Sequence, residues 1–349
     1  MVKLGSVVAA CSVLAVPSHL SAEIIADDIG AYTDSREITV TTSNFVRAAI
    51  DHEISKYLPL LGGVNKWFHF RAPTPADNQP TIRMNRDTLY SVALVDISEG
   101  AVLSLPDVGD RYMSSMIVNQ DHYINDVFHG GGEHKMDMAT FDTPYVLVTI
   151  RTLVDSADPA DIKAVNDIQD AMEIKAGSAK PYIVPNYDMD SFEKVLLATL
   201  ELGKYNVEAD RMFGPKDEVD SLQHFLGTAY GFGGLPEAEA TYLSINPGLP
   251  VGGYKIDVGD VPVDAFWSVS MYNARGFFEP NDLGAYSVNN VTAETNDDST
   301  TTVHLGDCDD GRANCLPLTD GWNYIVRLYR PRAEILEGKF EFPSPVPVE

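Results

Sequence analysis

The run from Arg83 to Ser91 concentrates side chains that could do chemistry. It reads Arg-Met-Asn-Arg-Asp-Thr-Leu-Tyr-Ser and stands between two apolar stretches. Polar groups are costly to bury unless each finds a hydrogen-bond partner. If the run is extended, Arg83, Asn85 and Asp87 project to one side at intervals of about 6.6 Å. This face is therefore predicted to be either a reactive site or a buried polar network.

As a reactive site, the run offers Asp87 or Tyr90 for acid–base work. Arg83 or Arg86 could then bind an anion or steady developing negative charge. Asn85 on the same face is predicted to contact the ligand. The alternative is an Arg–Asn–Asp network that only locks the module together, since buried charges are also retained for structure.

A second candidate is the segment 121–134, which holds His122, His129 and His134 among acidic residues. His122 is a predicted catalytic or ligand-binding residue. The alternatives are a structurally buried histidine and a segment that binds zinc or another divalent ion. The three histidines are spaced seven and five residues apart, unlike recognised zinc motifs. The chain also lacks a Gly-x-Ser-x-Gly elbow and a nucleotide-binding glycine loop. No metal and no cofactor are predicted.

Aromatic and amide side chains in the C-terminal half could bind a flat or sugar-like ligand. The predicted ligand-binding residues there are Trp267, Phe277, Asn281, Tyr286 and Arg327. Core packing is the alternative, and it is favoured for Trp267, because period two places it among apolar neighbours.

Periodicity predicts three regions after a signal peptide. A helix over about 44–58 leads a mainly β module with strands over 81–97, 111–118 and 145–152. Helical patterns follow over 159–177, 191–202 and 217–230. Strand patterns return over 253–258, 264–272, 301–305 and 323–329. The predicted fold is α+β: an N-terminal mainly β module (23–157), a helical connecting region (158–240) and a C-terminal antiparallel jelly-roll-like β-sandwich (241–349).

The first residues read as a signal peptide, with Lys3, an apolar stretch and a small-residue cleavage site near Ala22. We therefore expect a secreted or periplasmic protein. The formal net charge of −26 argues against nucleic acid as a partner, because so acidic a surface repels phosphate. No later stretch is long and apolar enough for a membrane span. The oligomeric state is left open.

Export bears on whether the remaining cysteines form a disulfide. Cys11 would leave with the signal peptide, and Cys308 and Cys315 are then an even pair in an oxidising compartment, which predicts a disulfide. Two thiolates without nearby histidines make zinc the weaker alternative. The sequon Asn290-Val291-Thr292 is a possible glycan site if the source is eukaryotic.

Several long motifs in order resemble exported proteins that pair an N-terminal domain of unknown function 1254 with a C-terminal domain of unknown function 1214. The resemblance covers nearly all of the mature chain. Some relatives carry automatic names of the carboxylesterase type, but the family has no settled activity. This chain departs from the pattern at Gly231–Pro236, where relatives tend to have Trp for Phe232 and Asn for Leu235. The motifs that carry the resemblance are Arg83–Ser91, Asp107–Tyr112, Gln120–Tyr123, Arg151–Asp155, Met212–Gly214, Val261–Tyr272, Phe278–Ser287, Asn314–Pro317 and Gly321–Pro331.

Together these observations predict an exported small-molecule enzyme, a hydrolase, with its cleft between the two β modules. In this mechanism Asp87 or His122 activates a water, and Arg83 or Arg86 stabilises negative charge. The alternatives are a non-catalytic extracellular protein that binds a carbohydrate or other small ligand, and a structural protein of the cell envelope. Convergence of Asp87 and His122 in a cleft decides between the first reading and the others.

Overall fold

The computed structural model of the protein describes residues 33–79, 82–206 and 210–348. The predicted signal peptide, residues 1–22, lies outside these ranges. The helices are α1 (Phe45–Leu61), α2 (Met138–Phe141), α3 (Pro159–Asp170), α4 (Met189–Gly203), α5 (Ser221–Tyr230) and α6 (Ala333–Leu336). The strands are β1 (Thr33–Thr39), β2 (Trp67–His69), β3 (Thr88–Asp96), β4 (Ala101–Leu105), β5 (Met113–Asn119), β6 (Ile124–His129), β7 (Gly132–Met136), β8 (Tyr145–Leu153), β9 (Glu173–Ala176), β10 (Val184–Asp188), β11 (Ala240–Ile245), β12 (Tyr254–Val258), β13 (Trp267–Tyr272), β14 (Ser287–Asn289), β15 (Thr301–Leu305), β16 (Cys315–Leu316), β17 (Asn323–Tyr329) and β18 (Val346–Pro347).

The N-terminal module is built on a five-stranded antiparallel sheet with the strand order β2-β3-β8-β5-β6. A three-stranded sheet, β7-β4-β9, packs on one face, and the apolar side of α1 packs on the other. Because both faces are covered, strand β3 is buried along its whole length. Helix α1 ends at Gly62, whose φ of 63° is a conformation that glycine adopts without strain.

The middle of the chain contains α3, α4 and α5 but is not wholly helical. Strand β9 pairs with β4, and β10 pairs in parallel with β1. The prediction of a helical connecting region is therefore wrong at these two strands. Here the chain pairs with the strands β1 and β4, whose backbone N–H and C=O groups need hydrogen-bond partners. No helix in the described ranges is long and apolar enough to cross a membrane.

The C-terminal module is a sandwich of two four-stranded sheets, β11-β17-β13-β14 and β16-β15-β12-β18. Trp267 and Trp322 lie in the core between them. The pairing is antiparallel except between β15 and β16. Helices together with mainly antiparallel sheets confirm the predicted α+β class.

One sheet of the sandwich, β11-β17-β13-β14, is covered on both faces. Side chains of β13 alternate: Trp267 faces the sandwich core, whereas Ser268 and Ser270 face the N-terminal module. The rings of Tyr112 and Phe266 meet across this junction, with centroids 5.2 Å apart. The two modules thus share a buried junction, and it contains most of the predicted site residues.

Candidate functional site

The Arg83–Asp87 segment is an irregular connection rather than a strand. Strand β3 begins only at Thr88, and Arg83 has a φ of 61°. The segment bonds as a loop: the Arg83 N–H donates to the Gly276 carbonyl (2.8 Å), and the Asp87 N–H donates to Asn85 Oδ1 (2.8 Å). The prediction of an extended run is therefore wrong here, because these local and inter-module bonds replace a strand ladder.

The polar side chains of this segment nevertheless act together. Each of the three that the sequence placed on one face hydrogen-bonds to the outer face of the C-terminal sheet. The bonds are Arg83 Nη1 to Asn323 Oδ1, Asn85 Nδ2 to Tyr329 Oη (2.8 Å) and Ser268 Oγ to Asp87 Oδ2 (2.6 Å). The segment therefore joins the two modules, whereas the network alternative placed its contacts within one module.

Arg327 holds the segment from the C-terminal side. It is 0% exposed, and its guanidinium donates to Ser270 Oγ (2.6 Å), to Tyr272 Oη (2.7 Å) and to the carbonyl of Met84 (3.2 Å). Because Arg327 is fully buried and bonded to these groups, it cannot contact an external ligand. This corrects its assignment as a ligand-binding residue. We call Arg83, Asn85, Asp87, Ser268 and Arg327 the junction cluster.

Arg151 of β8 is a further buried cation at the junction. It lies across the sheet from Tyr90, with its guanidinium carbon 5.7 Å from the Tyr90 ring centroid. Its Nη2 donates to the Gly233 carbonyl (3.0 Å), and Asn85 Nδ2 reaches the Tyr90 hydroxyl (3.3 Å). Tyr90 is 7% exposed and is part of this packing. Sequence reasoning missed Arg151 as a site residue, although a cation inside an apolar strand is a signal that could have found it.

His122 is fully buried in a different cluster of side chains. Thr228 Oγ1 donates to the His224 carbonyl, so it accepts from His122 Nδ1–H (2.7 Å), and His122 Nε2 accepts from the Gly233 N–H (3.3 Å). Both ring nitrogens are therefore occupied in one neutral tautomer. Burial lowers the pKa of His122 to about 3. The ring stacks on Phe232 at 4.9 Å. We call these five residues the histidine cluster.

The loop Gly231–Pro236, where we predicted a departure from the family pattern, contributes Phe232 and Gly233 to the histidine cluster. Phe232 is 9% exposed and Leu235 is 3% exposed. The loop packs against His122 instead of lining an open cleft. Phe232 and Leu235 are therefore core residues.

Asp87 and His122 lie at opposite ends of the five-stranded sheet. Asp87 adjoins Thr88, which pairs with Leu153 at the end where β5 begins, and His122 follows the other end of β5. The length of β5 separates these ends by roughly 20 Å at about 3.3 Å per residue. The structure does not bring the two together. A mechanism in which they act as a pair is wrong.

A cleft of about 340 Å³ opens between the modules beside the junction cluster. We call it the inter-module cleft. Its N-terminal wall includes Arg86, Asp87 and Asp155, and its C-terminal wall includes Tyr286 and Asn289 together with the loop 308–315. The cleft contains two of the predicted catalytic residues, Arg86 and Asp87, and not the others.

Arg86 and Asp87 each have a buried polar atom that makes no hydrogen bond to the described residues. Asp87 is 1% exposed, and its Oδ1 accepts no hydrogen bond from the described residues. Arg86 lies over the Tyr286 ring at 4.7 Å and donates from Nη1 to the Thr74 carbonyl, but its buried Nε makes no bond to them either. Burial lowers the pKa of Arg86 from its ordinary value. Two residues of the cleft wall therefore each have a buried polar atom without a hydrogen bond to the described residues.

The predicted aromatic and amide residues separate into different environments. Trp267 is 3% exposed in the sandwich core and packs on Phe342, so it cannot contact a ligand. Phe277 is half-buried beneath Arg275, with the guanidinium carbon 5.7 Å from the ring. Asn281 closes its own loop through bonds to the backbone of Ala285. Of this group, only Tyr286 lines the cleft.

The other histidines of segment 121–134 make separate contacts. His129 Nε2 lies 2.7 Å from Glu239 Oε2, and the His134 ring stacks on Phe128 at 4.2 Å. Across the described part of the chain, no three His, Cys, Asp or Glu side chains form a group that could hold a metal ion.

The disulfide between Cys308 and Cys315 is present, as predicted, with a Cα–Cα distance of 5.7 Å. Both cysteines line the inter-module cleft, so the bond fixes a loop of its wall. At the sequon, Asn290 Oδ1 accepts from the Trp267 N–H (2.8 Å), and Thr292 lies on the cleft wall. Glycosylation of Asn290 stays a prediction.

Two family models match the chain on the two sides of this cleft. The model described as Protein of unknown function (DUF1254) matches residues 64–136, and that described as Protein of unknown function (DUF1214) matches residues 249–333. The chain pairs these two domains. The DUF1254 match contains Arg86 and Asp87, and the DUF1214 match contains Tyr286 and the disulfide. The pairing predicted from the motifs is confirmed.

Two solved structures are similar to the chain. A structural-genomics target from Vibrio parahaemolyticus is 19% identical, with a TM-score of 0.64, and the match covers 88% of this chain and 100% of that one. At this identity it shows the fold alone. An uncharacterised protein from Burkholderia cenocepacia is 14% identical over 87% of this chain and 85% of that one, with a TM-score of 0.45. No curated protein matches the chain.

Proposed function

We propose that the protein binds a small hydroxyl-bearing ligand, of the carbohydrate class, in the inter-module cleft. The observation that carries this proposal is that two residues of the cleft wall, Asp87 and Arg86, each have a buried side-chain atom, Oδ1 and Nε respectively, that makes no hydrogen bond to the described residues. A hydroxyl group both donates and accepts, so the hydroxyl groups of a ligand can bond to an acceptor such as Asp87 and to a donor such as Arg86. An unsatisfied buried polar atom costs about 1–3 kcal/mol, which binding would recover.

The position and size of the cleft support this proposal. Ligand pockets prefer domain interfaces and have volumes of about 300–1,000 Å³. The inter-module cleft, at about 340 Å³, lies at this lower limit. Tyr286 adds an aromatic ring with Arg86 over one face, and Asn289 adds an amide whose oxygen is bonded to Val291 and Thr292. A ligand of one or a few sugar units fits this description better than a large apolar molecule.

Binding has more support than hydrolysis. Hydrolysis in this cleft requires a group that activates water, and His122 is neutral and enclosed at the far end of the sheet. One oxygen of Asp87 is already held by Ser268. Hydrolase activity stays a prediction without a base assigned to it.

The proposal includes export from the cytoplasm. Its support is the signal-peptide pattern of residues 1–22 and a disulfide, since such bonds persist in oxidising compartments. Mass spectrometry of the mature N-terminus after secretion tests this part. A chain that retains Met1 in the cytoplasm contradicts it.

The binding proposal is tested by isothermal titration calorimetry of the full chain with a panel of neutral mono- to trisaccharides. We expect at least one saccharide to bind, and Asp87→Asn to weaken it by about tenfold or more, the loss of one charge-assisted hydrogen bond. The matched control is Asp96→Asn. Asp96 is a buried aspartate at the other end of β3 whose oxygens accept from the Ser98 and Lys180 N–H groups.

Two results overturn the proposal. One is the absence of heat with every saccharide although the wild-type protein is folded. The other is an equal dissociation constant for Asp87→Asn and Asp96→Asn.

A further inference from the structure

Helix α4 has one buried side and one exposed side. Phe192 packs between α1 and α5, and its ring meets the Phe45 ring with centroids 5.7 Å apart. The opposite side exposes large apolar residues: Leu197 is 57% exposed and Leu202 is 51% exposed. Single exposed leucines are common on protein surfaces, so these two indicate a contact surface only if their neighbours fit a partner as well.

The exposed side of α4 is held in place by α5. The Tyr230 hydroxyl donates to the Leu200 carbonyl (2.6 Å). Just beyond the helix, the side-chain amides of Asn206 and Gln223 bond to each other in both directions, at 2.9 and 3.1 Å. Tyr205, which precedes this bonded pair, is 78% exposed. The surface is therefore positioned before any partner arrives, which lowers the entropy cost of binding.

The charges on the exposed side follow a pattern. Residues spaced four, three, four and three apart lie along one line of a helix. We call this line the α4 seam, and it consists of Asp190, Lys194, Leu197, Glu201 and Lys204. All five are exposed. The seam reads negative, positive, apolar, negative, positive, so it is neutral in a chain whose net charge is −26.

Reversing the direction of the α4 seam exchanges its positive and negative positions. If two copies of α4 pack antiparallel about a two-fold axis at Leu197, Lys194 comes beside Glu201 of the second copy. Asp190 then comes beside Lys204 of the second copy. Parallel packing would place like charges together, which is unfavourable. A two-fold dimer uses the same patch on both subunits, so its patch must be complementary to itself, as the α4 seam is.

We infer that the protein forms a two-fold symmetric dimer through antiparallel contact of its α4 helices. The two Leu197 side chains meet at the axis, and the charged pairs lie on either side of them. The inference is independent of the proposed ligand, because the inter-module cleft is lined by no residue of α4. A helix of 15 residues is about 22 Å long, so the contact is smaller than a standard interface. The dimer should therefore form only at high protein concentration.

Sedimentation equilibrium of the full chain tests this inference at about 5–500 µM, a range that suits a small interface. About 0.15 M salt screens the repulsion between the two net charges. We expect the average mass to rise with concentration from that of one copy towards that of two. A mass of one copy at every concentration overturns the inference.

Charge reversal locates the contact. Lys194→Glu and Glu201→Lys each replace two attractions per dimer by two repulsions, so each should weaken dimerisation by about tenfold. The double variant Lys194→Glu with Glu201→Lys restores both pairs with opposite polarity and should dimerise like the wild type. Dimerisation that neither single variant weakens overturns the inference, because the contact would then lie elsewhere.

The matched control uses an exposed ion pair on α3. Lys163 and Asp167 lie 2.6 Å apart there. Lys163→Glu and Asp167→Lys change the net charge by the same amounts as the seam variants, and both should leave dimerisation unchanged. If they weaken it as much as the seam variants do, the inference is overturned, because only the overall charge would then matter.

Oxidative cross-linking through introduced cysteines tests the orientation. In the antiparallel dimer the two copies of Leu197 are neighbours, whereas the two copies of Asp190 are about 20 Å apart along the helix axis. We expect Leu197→Cys to give a covalent dimer and Asp190→Cys to give none. A covalent dimer from Asp190→Cys shows parallel packing and overturns the inference.

Discussion

The two ends of the five-stranded N-terminal sheet both carry buried polar side chains, and they differ in how completely these are bonded. In the histidine cluster, both nitrogens of His122 have partners, and no open surface adjoins them. At the junction cluster, Asp87 has one bonded oxygen and one unbonded, beside an open cleft. A buried polar residue thus indicates structure where its bonds are complete. It indicates a binding site where they are incomplete and a cavity lies next to them.

The largest expected effect is on the junction itself. Arg327→Met removes a buried guanidinium and leaves the hydroxyls of Ser270 and Tyr272 and two carbonyls with fewer donors. We expect a loss of about 3–5 kcal/mol in the free energy of unfolding, measured by urea denaturation.

The matched control for Arg327 is Arg332→Met. Arg332 forms an exposed ion pair with Asp264 at 2.7 Å, and such pairs contribute less than about 1 kcal/mol. Equal losses for the two variants would contradict the role of Arg327 in joining the modules.

The histidine cluster predicts a loss of stability in acid. The folded pKa of His122, lowered by burial, is about 3, below the ordinary value of 6.5. The unfolded state therefore takes up the proton first, and stability present above pH 6.5 is lost as the pH falls towards 3. Between pH 7 and pH 4 we expect His122 to account for about 3 kcal/mol of this loss.

The variant His122→Asn isolates that contribution. Asparagine tolerates the φ of 64° at this position and does not titrate. Denaturation at several pH values should show a shallower pH dependence in the variant than in the wild type. An unchanged slope would mean that His122 is not the group responsible.

Removal of the disulfide should have an intermediate effect that is confined to the cleft end. The double variant Cys308→Ser with Cys315→Ser opens a short loop, for which chain entropy predicts about 2 kcal/mol. We expect a lower melting temperature and weaker ligand binding, because the loop lines the inter-module cleft. The pH dependence assigned to His122 should not change, and a change in it would show that the two ends are coupled.

The smallest expected effect on stability belongs to Asp87→Asn. Asp87 Oδ1 makes no hydrogen bond to the described residues, and asparagine can still accept from Ser268. We expect a change within about 1 kcal/mol, alongside the loss of binding proposed above. The buried Asp96→Asn should show the reverse, with a loss of stability and intact binding. If both variants were equally destabilised, the contrast between the two kinds of buried aspartate would fail.

Much of the fold was predictable from local patterns. The alternation in 323–329 and the apolar run of 145–152 predicted β17 and β8 nearly to their ends, since strand periodicity is local. The cap at Asp158 and Pro159 likewise predicted the start of α3. Strand β9 was missed, because its formation depends on pairing with β4, about 70 residues earlier in the chain.

The candidate site was only partly predictable. Arg86, Asp87 and Tyr286 were selected by residue type and do line the cleft. In the sequence, Asp155 is only the last residue of the motif Arg151–Asp155, and Ser268 is a serine within a strand pattern. Nothing in their local sequence distinguishes them, since each acquires its role from a contact with a distant part of the chain.

The sequence by itself determined the family pairing, the α+β class, the cysteine pair and the positions of most helices and strands, because all of these follow from residue order and short-range periodicity. The tertiary structure decided which polar residues meet. It placed His122 and Asp87 at opposite ends of one sheet and brought Arg86 and Asp87 beside Tyr286, some 200 residues away in sequence. Hydrogen-bond completion depends on such long-range contacts, so only the folded chain separates a structural polar residue from a binding one.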